Sequence, residues 1–287
     1  MHKWNGEKEM LTYNIGKLIS ANMKIHIVSM LLILLALACT NRQSDNNKQD
    51  EQNNSQWIAL FNGENLDGWT PKFAGLKPGI NYKNTFYVED SILTISYDNY
   101  ERFDGKFGHL FYKTPYSHYK IRAEYRFIGK QIPGAPDWAL RNNGLKLHSQ
   151  SPESMQIDQP SPVSVEVQLL GGNGKDRRST ANMCSMGTHV VMDGKLITPH
   201  CINSSSNTYH GDQWVVVEAE VKGAELFRHY VNGKEVMEYS KLQLDTTDVH
   251  ANKLHHPGES LLIEKGYIAI QAESHPTQFK SIKIKPL

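Results

Sequence analysis

The sequence predicts an all-β, antiparallel fold, a sandwich or jelly roll, on three observations. Short runs alternate apolar and polar residues with period two, as Tyr119, Ile121, Ala123, Tyr125 and Phe127 do, which places one set of side chains on a buried face. Turn-forming pairs punctuate these runs, among them Asp193-Gly194 and Asn232-Gly233, both suited to two-residue primed turns. No stretch keeps a helical period for more than about two turns.

Taken in order, the chain opens with a polar stretch, residues 1–22, that precedes the expected start at Met23. Met23-Lys24 followed by the apolar run Ile25 to Ala38 reads as a signal sequence, too short to span a bilayer comfortably. Leu35-Ala36-Leu37-Ala38-Cys39 ends it in the manner of a bacterial lipobox, so residues 1–39 are assigned to an upstream extension and lipoprotein signal peptide. The expectation is export and a lipid anchor at Cys39 in the bacterial cell envelope, periplasmic or on the outer-membrane surface. A plain signal peptide with an incidental cysteine is the alternative. Residues 40–56 are rich in Asn, Gln, Asp and Ser without apolar periodicity, and are expected to form a disordered tether. The folded domain is then residues 57–287.

Only Cys39, Cys184 and Cys201 are present. With Cys39 lipidated in an oxidising compartment, a Cys184–Cys201 disulfide is expected, worth roughly 3 kcal/mol by loop entropy. Zinc is the weaker reading, because no C-x-x-C spacing accompanies the pair. The charges balance at 31 basic and 30 acidic residues. With no basic run to follow a phosphate backbone, nucleic acid is not an expected partner.

Within the domain, Trp57 to Phe61 is apolar and is followed by Asn62-Gly63 and Asp67-Gly68. Phe86 to Val88 and Ile92 to Ile95 flank a hairpin turn at Glu89-Asp90-Ser91. Gly108 to Tyr112, Tyr119 to Phe127, Asn143 to His148 and Val163 to Leu170 follow as strand candidates. Val190 to Met192 and Lys195 to Ile197 form a small hairpin. Trp214 to Val221, Glu225 to Val231, Lys234 to Tyr239, Tyr267 to Glu273 and Phe279 to Ile284 complete the set. Gly171 to Gln213 resists this pattern, with one hairpin in more than forty residues. It is read as a stapled lid or rim beside a binding site, or as a decorative insertion.

The chemistry-bearing residues sit on three alternating runs. Glu166 and Gln168 stand on one face of their strand, about 7 Å apart at the usual rise, opposite Val163, Val165, Val167 and Leu169. Lys146 and His148 share a face by the same rule. Gln271, Glu273 and His275 share a side at the end of another run. Two strands thus each offer a carboxylate with an amide, the minimum for acid/base work on a glycosidic bond. The alternatives are a solvated outer face of a sandwich, or a calcium site built from one carboxylate pair. His189, His200 and His210 also lie near turn or loop signals. No H-E-x-x-H, G-x-S-x-G or phosphate-loop pattern is present.

Six segments in order resemble the 3-keto-disaccharide hydrolase family. They are the opening Leu60-Phe61-Asn62-Gly63 to Gly68-Trp69, Arg141-Asn142-Asn143-Gly144-Leu145, Glu166-Val167-Gln168, His229-Tyr230-Val231-Asn232-Gly233, Gly266 to Gln271, and the closing His275 to Ile282. Asn143 replaces the family's usual serine, and His148 stands where many members have arginine. The resemblance covers residues 57–287. It implies an antiparallel concanavalin-like jelly-roll sandwich and hydrolysis of glycosides already oxidised at C3. A C3 ketone acidifies the C2 proton, so the site needs a base, a group that stabilises the enolate oxygen, and an acid for the leaving group. Glu166, His275 and Glu273 are the catalytic candidates. Arg141, Asn143, Lys146, His148, Gln168 and Gln271 are the substrate-binding candidates, and a bound divalent cation could assist. A non-catalytic carbohydrate-binding lipoprotein is the alternative function, and an envelope protein whose long loop binds a partner is the third.

Overall fold

The computed structural model describes residues 56–287; Cys39 and the signal and tether assignments at residues 1–55 lie outside them. Two antiparallel sheets make up the folded unit, Trp57–Leu287. In chain order the strands are β1 (Ile58–Ala59), β2 (Trp69–Phe73), β3 (Phe86–Glu89), β4 (Ile92–Ile95), β5 (Gly108–Tyr112) and β6 (His118–Phe127). They continue with β7 (Asn142–Ser149), β8 (Ser164–Leu170), β9 (Asn182–Met186), β10 (Thr188–Met192), β11 (Lys195–Ile197) and β12 (Cys201–Ile202). The last five are β13 (Val215–Lys222), β14 (Leu226–Val231), β15 (Lys234–Leu244), β16 (Tyr267–Ala272) and β17 (Thr277–Pro286). Among the described residues the only helical segments are three single 3₁₀ turns.

One sheet has the order β11-β10-β15-β14-β13-β6-β17-β4-β3, with β1 paired to β17. The other has the order β12-β9-β8-β7-β16-β5-β2. This is the expected all-β, concanavalin-like sandwich. The core lies between the sheets, where Ile121, Tyr125, Val217, Phe227 and Phe279 of the first face Leu145, Leu147, Val165, Val167 and Ile270 of the second. All ten are excluded from water, and burial of such side chains supplies the main drive for folding. The turns follow their sequences. Asp90-Ser91, Asp193-Gly194 and Asn232-Gly233 all take positive φ, the geometry that matches a tight turn to the twist of its strands.

Residues 171–213 are built of strands and lie beside the Glu166 strand: the expected hairpin forms as β10 and β11, and Cys184 of β9 pairs with Glu166 of β8. They supply edge strands to both sheets: β9 and β12 extend the second, while β10 and β11 extend the first. Their Asn, Ser and Thr residues hid β9 and β12, because polar side chains here tie the loop after β12 to the residues that lead into β9. Ser204 Oγ and Ser206 Oγ both donate to the Thr180 carbonyl, and Asn182 Oδ1 accepts from the Ser204 amide. Cys184 and Cys201 are direct cross-strand neighbours joined by a disulfide.

Candidate active site

The second sheet turns a polar face away from the core. Outward residues alternate with the core set, and register places them in cross-strand pairs: Lys146 beside Glu166, Glu166 beside Cys184, Gln168 beside Asn182, and His109 beside both Lys72 and Gln271. This face is covered, not solvated. Met155 packs onto Phe111 and Ala269 there, and the carbonyl of Ile157 accepts from Lys72 Nζ at 3.0 Å. The segment between β7 and β8 therefore folds over the sheet, and Lys146 is completely buried.

A cavity of about 540 Å³ opens on this face. Its polar lining includes Glu166, Gln168, Gln271, Glu273 and Asn142, while Phe107, Trp138, Pro160, Met186 and the disulfide supply its apolar surface, with His200 beside them. Lys146 Nζ donates to Glu166 Oε2 at 2.6 Å, with both groups buried. Removing either partner would leave an uncompensated buried charge, so the pair holds only as a unit. Gly144 makes room for it: a Cβ there would collide with the Glu166 carboxylate.

Gln271 Nε2 donates to Glu273 Oε1 at 2.7 Å. Burial, followed by the nearby Glu166 charge, pushes Glu273 up to about 8, against an opposing pull from Lys146. Glu273 is therefore predominantly a neutral carboxylic acid near pH 7, next to a carboxylate held by a lysine. Its Oε2 has no hydrogen-bond partner, and neither do Gln271 Oε1, Asn142 Oδ1 and the nearby His109 Nε2. Buried polar atoms are normally paired, so unpaired ones gathered in a cavity mark a place for a polar ligand. Burial, reinforced by the charges of Lys146 and Lys72, holds His109 well below the usual imidazole range and keeps it neutral. Burial likewise lowers Lys72.

Residues 56–285 match the family described as 3-keto-alpha-glucoside-1,2-lyase-like domain. The chain belongs to that family. Among solved structures, two proteins of Parabacteroides distasonis, each provisionally assigned as a glycosyl hydrolase, are similar to it. One is 17% identical, with 83% of this chain and 96% of that chain covered at a TM-score of 0.48. The other is 16% identical, with 81% and 100% covered at a TM-score of 0.47. A carbohydrate-binding module of Bacillus subtilis is 9% identical, with 80% and 96% covered at a TM-score of 0.40. No protein of curated function matches the sequence.

The lyase-like domain gathers Glu166, Glu273, Gln168 and Gln271 at its cavity, with Lys146 bonded to Glu166. It does not gather the other sequence candidates there. Lys146 and His148 do not share a face, because the pairing of β7 with β16 shifts between Tyr267 and Ala269 and His148 takes a φ of 46°. The His148 ring turns between the sheets, 5.3 Å from Phe227 and 5.9 Å from Tyr119, with Nδ1 donating to the Ile263 carbonyl. His275 parts from Glu273 in the same way. Ser274, with a φ of 105°, breaks the alternation, and the His275 ring packs edge-on to Phe127 at 5.6 Å. Burial, with the Arg141 charge behind it, lowers His275 to about 4.

Asn143 points to the core side with Leu145 and Leu147, donating to the Gln271 carbonyl at 2.7 Å. Arg141 is held outside the cavity lining by the Gly211 carbonyl and Asp212. Asn142, Trp138, Phe107 and Met186 line the cavity without having been singled out from sequence, and of the loop histidines His200 reaches it. Asn142 was within reach, since Asn142, Gly144 and Lys146 share a parity. Trp138 carried no periodic signal. Among the described residues no group of three or more His, Cys, Asp and Glu is placed to hold a metal ion.

Proposed function

We propose that the cavity cleaves glycosides already oxidised at C3 by elimination followed by hydration. The observation that carries this reading is the asymmetric carboxyl pair, with Glu166 bonded to Lys146 and Glu273 raised to about 8. Membership of the lyase-like family supports the substrate class. Glu166 takes the C2 proton, and the electron pair passes into the enolate of the C3 ketone. Collapse of the enolate forms the C1–C2 double bond and breaks the bond from C1 to the leaving oxygen, which receives its proton from Glu273. Water then adds at C1, giving a proton to Glu273, while Glu166, its acid proton exchanged with solvent during the lifetime of the unsaturated intermediate, delivers a proton to C2. Neutral amides line the site and the Lys146 ammonium stands behind Glu166, preorganised dipoles and charge that act on the developing enolate. Gln168 and Gln271 orient its hydroxyls.

The test is incubation of the purified protein with 3-keto-glucosides and their unoxidised counterparts in D₂O. Leaving-group release restricted to the 3-keto compounds, with deuterium appearing at C2 of the product sugar, is expected. Release from the unoxidised glycosides without C2 exchange would refute the elimination route. Binding of every sugar with no release would transfer the reading to a carbohydrate-binding protein.

A further inference from the structure

Trp138 is 58% exposed, although tryptophan is a side chain that folding ordinarily buries for the most part. It sits on a single 3₁₀ turn, Asp137–Ala139, just before β7, and lines the cavity beside the acid/base floor. Its ring is also held in place. Phe107 lies parallel to it at 6° with centroids 6.2 Å apart. Phe103 meets Phe107 edge-on at 5.0 Å, and Tyr97 meets Phe103 at 6.4 Å. Phe103 and Tyr97 are buried members of the main core. A line of four aromatic rings therefore runs from the core to the cavity wall and ends in an indole largely open to water. Nothing about folding requires that last ring. An indole fixed by stacking on one side offers a flat apolar surface that loses little freedom when a ligand covers it.

Depth separates this surface from the chemistry. Glu166 and Glu273 are nearly buried, at 2% and 6% exposure, whereas Trp138 is open. A substrate whose reacting ring meets the two carboxyl groups would thus bring its outer part to the indole. We propose that Trp138, backed by Phe107, is the platform that grips the leaving group of the substrate, a moiety presenting a flat apolar face such as the C–H face of a pyranose or an aryl ring. The proposal rests on the cleavage reading for its orientation, with the reacting ring inward.

The experiment measures binding by calorimetry in a Glu273→Gln background, which keeps the Lys146–Glu166 pair whole and slows turnover by about 10²–10⁴-fold. Three 3-keto-glucosides serve as ligands, with glucosyl, phenyl and methyl leaving groups. Trp138→Ala is expected to weaken the glucosyl or phenyl compound by about 10-fold, the size of one good stacking contact, while leaving the methyl compound unchanged. Trp138→Phe should restore most of the loss, and comparison of the glucosyl and phenyl arms identifies which face the platform takes. Equal weakening of all three ligands, no weakening of any, or no binding by any in the parent background would overturn the proposal. Because the readout is binding, an absence of cleavage in the wild-type protein would count against the reaction scheme alone. Cleavage with an unchanged Trp138→Ala binding profile would count against the platform alone.

Discussion

Glu273→Gln separates a buried neutral acid from an ordinary carboxylate, and it does so in two independent measurements. Glu273 is pushed up to about 8 by burial first and the Glu166 charge second, from an ordinary value of 4.5. Between those values the folded chain keeps a proton that the unfolded chain releases. Stability is therefore lost as pH rises through this window. The loss is small at pH 5 and reaches on the order of 4 kcal/mol by pH 8. Glutamine imitates the protonated carboxyl: it is neutral at every pH, and its oxygen can still accept from Gln271 Nε2, as Glu273 Oε1 does. The variant should lie within about 1 kcal/mol of wild type at pH 5 and pull ahead by up to about 4 kcal/mol at pH 8. Urea denaturation at pH steps from 5 to 8, with the disulfide intact, gives both curves. Buried histidines such as His148 and His229, each lowered to about 4 by burial, oppose this trend in wild type below their ordinary value. They titrate in both proteins, so they cancel in the difference. Turnover of a verified substrate should fall by about 10²–10⁴-fold, because an amide cannot supply the leaving group's proton. A stability difference that stays flat from pH 5 to pH 8 would show that Glu273 is not held protonated, and the assignment of acid and base would go with it.

Gly144→Ala should force the Glu166 carboxylate out of the position it shares with Lys146, with kcat expected to drop by about 10²-fold and the melting temperature to fall as the buried Lys146 charge loses its partner. An active Gly144→Ala variant would mean that the placement of Glu166 is immaterial. Replacing Cys184 and Cys201 together by serine, across their sequence separation of 17, should cost roughly 3 kcal/mol in denaturant titration, and a loss below about 1 kcal/mol would remove the disulfide from the list of stabilising features. For Cys39 we propose lipidation, so Cys39→Ser should move the protein from the membrane fraction to the soluble one; unchanged fractionation rules out the anchor.

Much of the fold could be read from the chain because many of its strands keep period two over most of their length. Tyr119 to Phe127 shows this well: every second residue is buried in the core, as its alternation requires. Between Gly171 and Gln213 the hairpin of β10 and β11 was legible, but β9 and β12 were not, for a physical reason. These two strands are short, and the residues flanking them are tied by side-chain hydrogen bonds, Ser204 and Ser206 donating to the Thr180 carbonyl and the Ser204 amide to Asn182 Oδ1. Such flanks give a short strand near a sheet edge the composition of a loop.

The site divides along a similar line. Glu166, Gln168, Gln271 and Glu273 could be placed together because each stands on a regular stretch, and alternation then fixes the face once the strands are paired. His148 and His275 were misplaced because parity holds only while the backbone stays extended. One register shift beside His148, and one left-handed residue before His275, send each ring toward the core. The two imidazoles that looked most catalytic are thereby the ones that burial keeps neutral, packed on Phe227 and Phe127. Proton transfer then falls to the carboxyl groups, and the difference between them comes from their neighbours rather than from their own chemistry. Lys146 lies across the strand from Glu166 and bonds to it, while Glu273 is bonded by the amide of Gln271 and feels the Glu166 charge more than the opposing one of Lys146. Cross-strand register decides which glutamate gets the lysine, and that is information no single strand contains.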